Sequence, residues 1–278
     1  MSIFYAAINE MSAKGLNIYG PKSFKAYMRE NKLPEKGTAA NISIDSIEKL
    51  NLELKENKLM ILRLGAKKGE RETSFVLVRL SNSWSDFFLI DKDLTNEIKP
   101  TLFISQMSQR ELFPFQLLPK LTETSMVNLA IGSGLIAEAI GLDKGSANTT
   151  FATGQSTFTF DFKAVEQSSE TLTHQNGQVE IDALLLGRRK GEETLIIIEA
   201  KHGKSQGQSL AKHKLFYPMQ ALKNSVPSYV KILPIYLKTW VEDYDIHFLV
   251  TECKVQVENV LSTLNPANTT HFVIANMR

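Results

Sequence analysis

Asp182, Glu199 and Lys201 sit where charged side chains are costly, inside two apolar runs, VEIDALLL (179–186) and TLIIIEAK (194–201). The segment between them, GRRKGEE (187–193), is polar and contains two glycines. The whole stretch reads as a β-hairpin, with a short loop over Gly187–Thr194 joining two strands. Side chains alternate faces along a strand, so Glu199 and Lys201 share one side, about 6.5 Å apart. A register that pairs Leu186 with Leu195 sets Asp182 opposite Glu199 and Glu180 opposite Lys201. A slip of one residue would send Glu199 and Lys201 to the face opposite Asp182.

Two carboxylates placed opposite each other repel, and burial among Val, Ile and Leu adds a desolvation cost. A hard divalent cation relieves both. Asp182 and Glu199 supply oxygen ligands to Mg2+, the backbone carbonyl of Ala200 supplies another, and water or phosphate oxygens complete the octahedron. Lys201 then points its amine at a water or a phosphate. Such a group suits phosphodiester hydrolysis, in which metal and lysine offset charge on phosphorus. The plainer alternative is an ion-pair network on one strand face, with no metal and no chemistry.

The elements needed to hold this hairpin are visible around it. The stretch 122–140 has the spacing of a helix, with Gly141 just past its end. STFTFDFK (156–163) alternates as a half-buried strand, with Phe158, Phe160 and Phe162 on one side. Residues 208–224 read as a helix that Pro218 should kink or interrupt. Further strands are expected over 229–237, 245–253 and 270–276. Residues 1–120 read as a mixed α/β region. It has helices over 3–13, from Pro21 to Asn31, and over 43–57, strands over 58–64, 74–80 and 86–90, and a proline-bearing connector over 113–120. The expected division is therefore an N-terminal α/β region, 1–120, and a second domain, 121–278.

The signature resembles that of the PD-(D/E)XK nucleases, the restriction-endonuclease-like superfamily. Asp182 matches the first acid and Glu199-Ala200-Lys201 the (D/E)XK part, with Ile181 where a proline often precedes the acid. The resemblance implies an α/β fold with an αβββαβ core, a mixed central sheet flanked by helices, in the C-terminal half. The order of elements over 122–237 agrees. It also implies further site residues in some members: an acid on the first helix, for which Glu138 is the candidate, and a Gln or Lys on the second, for which Gln220 is. EIDALLL, IIIEAKHG and LFYPMQALK most resemble type II restriction endonucleases.

That likeness implies a Mg2+-dependent cut in double-stranded DNA, a homodimer, and a cognate DNA methyltransferase acting on the same site. Arg188, Arg189 and Lys190 at the hairpin tip, with Lys204, Lys212 and Lys214 after the second strand, become candidate phosphate contacts. Arg63, Lys67, Lys68, Arg71 and Arg79 are basic candidates in the N-terminal region, where DNA recognition is expected. A structure-specific repair or junction-resolving nuclease, and a non-catalytic DNA-binding protein keeping the fold, remain alternatives. His202 follows Lys201 and faces the other way, as a structural residue would.

Composition sets outer limits. A net charge of +2 neither demands nor forbids a polyanionic partner. With Cys253 as its one cysteine the sequence cannot form an internal disulfide, which suits a reducing compartment. MSIFYAAINEMSAKG lacks a basic start followed by an apolar block, so no signal peptide is expected. The apolar stretch 126–142 is short for a membrane span and carries Glu138. A cytoplasmic protein is the resulting expectation. No zinc cluster, Walker loop, dinucleotide fingerprint or G-x-S-x-G elbow is present.

Overall fold

The computed structural model describes residues 3–66, 72–96, 98–146, 150–204 and 208–277. Lys67, Lys68 and Arg71 lie outside these ranges. The N-terminal elements are α1 (Tyr5–Lys14), β1 (Ile18–Ser23), α2 (Phe24–Glu30), α3 (Thr38–Ile42), α4 (Leu52–Glu56), β2 (Leu59–Gly65) and β3 (Ser74–Arg79). β4 (Phe88–Ile90), α5 (Asp91–Thr95), β5 (Thr101–Leu102) and α6 (Gln109–Leu117) follow. Next come α7 (Glu123–Gly132), α8 (Leu135–Ile140), β6 (Ala152–Phe162), β7 (Leu172–Arg189) and β8 (Glu192–His202). The chain closes with β9 (Ser209–Ala211), α9 (His213–Lys223), β10 (Lys231–Glu242), β11 (Asp245–Val255) and β12 (Leu264–Ile274). No helix among the described residues is long and apolar enough to cross a membrane.

Local chemistry explains where several elements depart from expectation. Pro21 lies in β1, and α2 starts only at Phe24, capped by the Ser23 hydroxyl accepting from the Ala26 N–H. The expected helix over 43–57 gives way to a single 3-10 turn at 47–49 and to α4, capped by Asn51. The expected connector over 113–120 is largely α6, nucleated by a capping box between Ser108 and Glu111. The helix over 122–140 is two helices, because Gly134 takes a left-handed φ of 82° between them. Gly141 does cap the second. The segment after β8 begins as β9, paired with β4, so α9 starts only at His213. It continues through Pro218, with Leu215, Phe216 and Tyr217 buried.

One mixed sheet organises the described residues, in the order β1-β3-β2-β7-β8-β10-β11-β12-β5, with β6 on the remaining edge of β7. β7 and β8 are antiparallel, β8 and β10 parallel, and β10, β11 and β12 antiparallel. One face carries Ala183, Leu185, Ile196, Ile198 and Leu237 against α7 and α8. The other carries Tyr236 and Trp240 in a core that runs from Phe4 to Leu264 and includes α9. That second core is continuous across residue 120, so the N-terminal strands extend the same sheet.

The sheet forks at β7. β2 meets it at a single pair, Gly65 with Gln175, and β8 joins its ladder only from Ala183 onward. Between these points, residues 176–182 pair with neither strand. Gly65 makes the close approach possible: it has φ 79°, and a Cβ there would lie 2.4 Å from the Gln175 carbonyl oxygen. Gly65→Ala is expected to cost about 2 kcal/mol or more, from left-handed strain alone of about 1–3 kcal/mol plus the clash. Urea unfolding measures it; an unchanged midpoint would mean that the junction of β2 and β7 adds little.

Candidate active site

The hairpin has the expected register. Leu186 pairs with Leu195, and the ladder runs from Ala183–Ile198 to Arg189–Glu192. Its loop is tighter than expected: Lys190 and Gly191 alone turn the chain, both with positive φ (54° and 81°), as a two-residue hairpin requires. At the other end the ladder stops at Ala183–Ile198, so neither Asp182 with Glu199 nor Glu180 with Lys201 forms the expected cross-strand pair. There β7 bulges. Three steps along it, from Ile181 to Leu184, oppose the two steps from Gly154 to Ala152 on β6. Bulges re-aim side chains, and here the Asp182 carboxylate accepts the Ala200 N–H at 2.9 Å.

Glu199 lies against this opening, 2 % exposed. Burial pushes its carboxyl up to about 8, with the Asp182 carboxylate adding to the rise and Lys214 and Lys201 opposing it. Lys214, from the first turn of α9, sits 3.2 Å from Glu199 and 3.8 Å from Glu180. Burial works against the Lys214 charge, but the facing Glu199 more than offsets it and holds the amine above its ordinary value. Lys201 lies between Glu199, at 4.0 Å, and Asp45, at 3.7 Å. Burial would raise the Asp45 carboxyl, yet Lys49 and Lys201 hold it below its usual range.

Two clefts open onto this group, with Glu180 as the wall they share. One, about 260 Å³, lies in the fork and is lined by Asp45, Arg63, His174, Lys214 and Tyr217. The other, about 390 Å³, is lined by Glu123, Thr153, Gln155 and Asp182. Glu123 enters from the start of α7, where its carboxylate accepts the His202 N–H at 2.9 Å. Behind the site, Tyr236 and Lys238 of β10 are in register with Glu199 and Lys201. They form a buried group with Asp91: the Tyr236 hydroxyl donates at 2.8 Å and the Lys238 amine lies 3.3 Å away.

Asp182, Glu199, Ala200, Lys201 and Lys214 thus come together, and other expected site residues do not. Glu138 is exposed on α8, beyond the Gly134 break, and the acid that α7 brings to the cleft is Glu123. Gln220 is buried in α9 without a hydrogen bond to the carboxylates among the described residues; the residue α9 presents to Glu199 is Lys214. The basic hairpin tip, with Arg188, Arg189 and Lys190, is about 26 Å along β7 from Asp182, so these residues are not brought to the group of carboxylates. Arg189 is held bidentate by Glu252 (2.8 and 3.0 Å), Arg188 pairs with Glu193, and the Lys190 N–H is bound by Asp143. Lys204, exposed just beyond β8, stays at the site's end of that strand.

Lys212 is the clearest correction. Its side chain is buried, and its amine donates to the Ser262 carbonyl and to Asn265, both at 2.9 Å. Burial pulls its pKa from 10.5 down to about 8. Between those values the unfolded chain holds a proton that the folded chain has released, so stability rises with pH through the window and is lost as pH falls to 8. Wild type should gain on the order of 3 kcal/mol relative to Lys212→Met between pH 7.5 and 10.5 in denaturant titrations. Parallel pH profiles would rule this out.

Other residues have plain structural roles. His202 meets the Thr239 hydroxyl at 3.0 Å. His174 stacks on Phe160 at 4.9 Å, and burial pushes it down to about 4. Cys253 is buried, its thiol pushed up to about 12 by burial.

Among the described residues no three His, Cys, Asp or Glu side chains form a ready metal cage. The donor set is smaller but chemically suited to a hard cation: two carboxylates in electrostatic contact, one of them nearly sealed from water. Mg2+ is commonly held by one or two carboxylates plus phosphate and water oxygens, and Asp182 and Glu199 are the two carboxylates available here.

The chain belongs to the family described as "Domain of unknown function (DUF6997)", which matches residues 90–273. The matched region contains Asp91, Glu123, Asp182, Glu199, Lys201, Lys214 and Lys238, and leaves out Asp45 and strands β1 to β3. No curated protein matches the chain, and no solved structure does.

Proposed function

We propose that this chain is a Mg2+-dependent endonuclease of the PD-(D/E)XK kind that hydrolyses phosphodiester bonds in double-stranded DNA. The observation that carries the reading is the meeting of Asp182, Glu199 and Lys201 at an open fork of the sheet. Support comes also from the order α7–α8, β6, β7, β8, α9, β10, which follows the αβββαβ core with β9 inserted. The sheet is wider than that core because β1 to β3, β11, β12 and β5 extend it.

Asp182, Glu199 and the Ala200 carbonyl are the ligands this chain offers a cation. Bound there, Mg2+ would supply an activated water and positive charge at the scissile phosphate. Lys201 orients that water or phosphate, held at its station by Asp45. Lys214 neutralises Glu199 and lies next to Glu180 at the cleft mouth, where a phosphate oxygen can take its charge. Glu123 fixes the end of β8 through the His202 N–H and so holds Lys201 in line. Sequence-specific cutting as a homodimer, alongside a cognate methyltransferase, is the leading form of this reading.

One observation favours a second reading. Lys214, Glu199, Lys201 and Asp45 form a connected chain of ion pairs that balances its charges without a metal. That network alone would make the fork a structural feature. Digestion of unmodified and methylated phage DNA in Mg2+ or EDTA separates the cases. Discrete Mg2+-dependent fragments support the restriction form, and a smear supports a non-specific or structure-specific nuclease. Intact DNA in every lane leaves the ion-pair network.

A further inference from the structure

The outer half of β6 is unusual for an edge strand. From Ala152 to Phe160 it has neither a charged residue nor a proline, and Ala152 to Thr157 are all exposed. Its one partner among the described residues is β7. Edge strands of this length are ordinarily blunted by charge, proline or cover, and this one is left polar and bare. The register explains what it presents. Gln155 lies opposite Glu180 and Thr157 opposite Gln178, while Ser156 lies opposite the buried Val179. One face of the ribbon therefore shows Gln155, Thr157, Gln178 and Glu180 to solvent.

That face joins the candidate site directly. Gln155 lines the same cleft as Asp182 and Glu123, Gln178 lines the cleft that holds Lys214, and Glu180 borders both. The Gln178 amide donates to the Gln155 carbonyl oxygen at 2.7 Å. This bond leaves the Gln155 amide hydrogens and the Gln178 carbonyl oxygen side by side, a donor and an acceptor fixed in place. A two-stranded ribbon fits the major groove, about 12 Å wide, where a glutamine amide matches the N6 and N7 of adenine. A face that gripped phosphates through charge would carry Lys or Arg, and this stretch has none.

We propose that the Gln155–Gln178 face of the β6–β7 ribbon reads base edges in the major groove beside the scissile phosphate. The inference rests on the nuclease reading and names its specificity-determining residues. It also moves base recognition from the N-terminal region to the strand next to the catalytic carboxylates.

Selection from a pool of randomised DNA duplexes, with Ca2+ in place of Mg2+ to prevent cutting, tests it. The wild type is expected to enrich a motif containing an A·T pair. Gln155→Ala and Gln178→Ala, both exposed and checked for folding by circular dichroism, are expected to lose discrimination at that pair by about ten- to a hundred-fold. Undiminished discrimination at every position overturns the ribbon's role while leaving the nuclease reading intact. So does undiminished discrimination together with dissociation of a dimer, which would make β6 a contact between copies. A wild type that binds no duplex overturns both.

Discussion

Lys201→Ala is expected to lower Mg2+-dependent DNA cleavage by about 10²–10³-fold, and Asp182→Asn to reduce it to background, while both proteins stay folded. The fold should survive for reasons visible in the site. Glu199 keeps Lys214 at 3.2 Å when Lys201 is removed. The Lys201 contacts, at 3.7 and 4.0 Å with the lysine a quarter exposed, are of the kind worth less than about 1 kcal/mol. Asparagine at 182 retains an oxygen to accept the Ala200 N–H and loses only the charge. Initial rates on a plasmid substrate, paired with thermal unfolding of each variant, give both quantities. Variants that still cut would remove Asp182 and Lys201 from the chemistry.

The largest expected effect on stability lies one strand away. Asp91→Ala should destabilise the protein by about 3–5 kcal/mol, the cost of stranding a buried charge. Lys238 is fully buried, and Asp91 is its charged partner; Gln208 gives it a hydrogen bond but no negative charge. Burial pulls the Lys238 amine down and pushes the Asp91 carboxyl up, so each charge depends on the other. The Tyr236 hydroxyl loses its acceptor in the same step. Replacing both partners, as Asp91→Leu with Lys238→Met, should recover most of the loss, since apolar groups of similar size often substitute for a buried pair at little cost. Denaturant titration of the two variants decides it; equal losses in single and double variants would show that packing, rather than the stranded charge, is responsible.

The pair also shows how the site tolerates two lysines side by side. Lys201 and Lys238 are register partners on parallel strands, which alone would be repulsive. Each is drawn to a different acid, Lys201 to Asp45 and Lys238 to Asp91. Both acids come from segments that precede α7, so the N-terminal elements take part in setting the charge of the site.

Much of the hairpin was legible because side-chain alternation along two apolar runs constrains register locally; its two-residue turn at Lys190 and Gly191 was not, since the loop was expected over Gly187–Thr194. The register that sets Leu186 opposite Leu195 also sets Leu185 opposite Ile196, the pair that the two strands bury. The fork was not legible. It depends on β2 meeting β7 at Gly65, a contact between residues more than a hundred positions apart that no local pattern encodes. Glu138 is the acid the sequence offers if 122–140 is one helix, whereas Glu123 carries no signal of its own, since an acid in a first turn is a common helix-start residue. The left-handed Gly134 breaks that helix and leaves the first-turn acid at the cleft. Lys214 looked like one basic residue among several, since the helix seemed to start at 208. With β9 formed first, Lys214 falls in the first turn of α9 beside the carboxylate. Asp45 falls in the stretch 43–57, expected to be one helix, which forms only a 3-10 turn and α4. In each case a tertiary contact overrode a sound local preference.

Cleavage of supercoiled plasmid by the wild-type chain, in Mg2+ against EDTA, separates a nuclease from an ion-pair network. A nuclease converts the plasmid to linear or fragmented DNA in Mg2+, leaves it intact in EDTA, and recovers its activity when Mg2+ is returned in excess. Plasmid that stays supercoiled in Mg2+, whatever its methylation, would contradict the nuclease reading and leave the carboxylates and lysines as an ion-pair network.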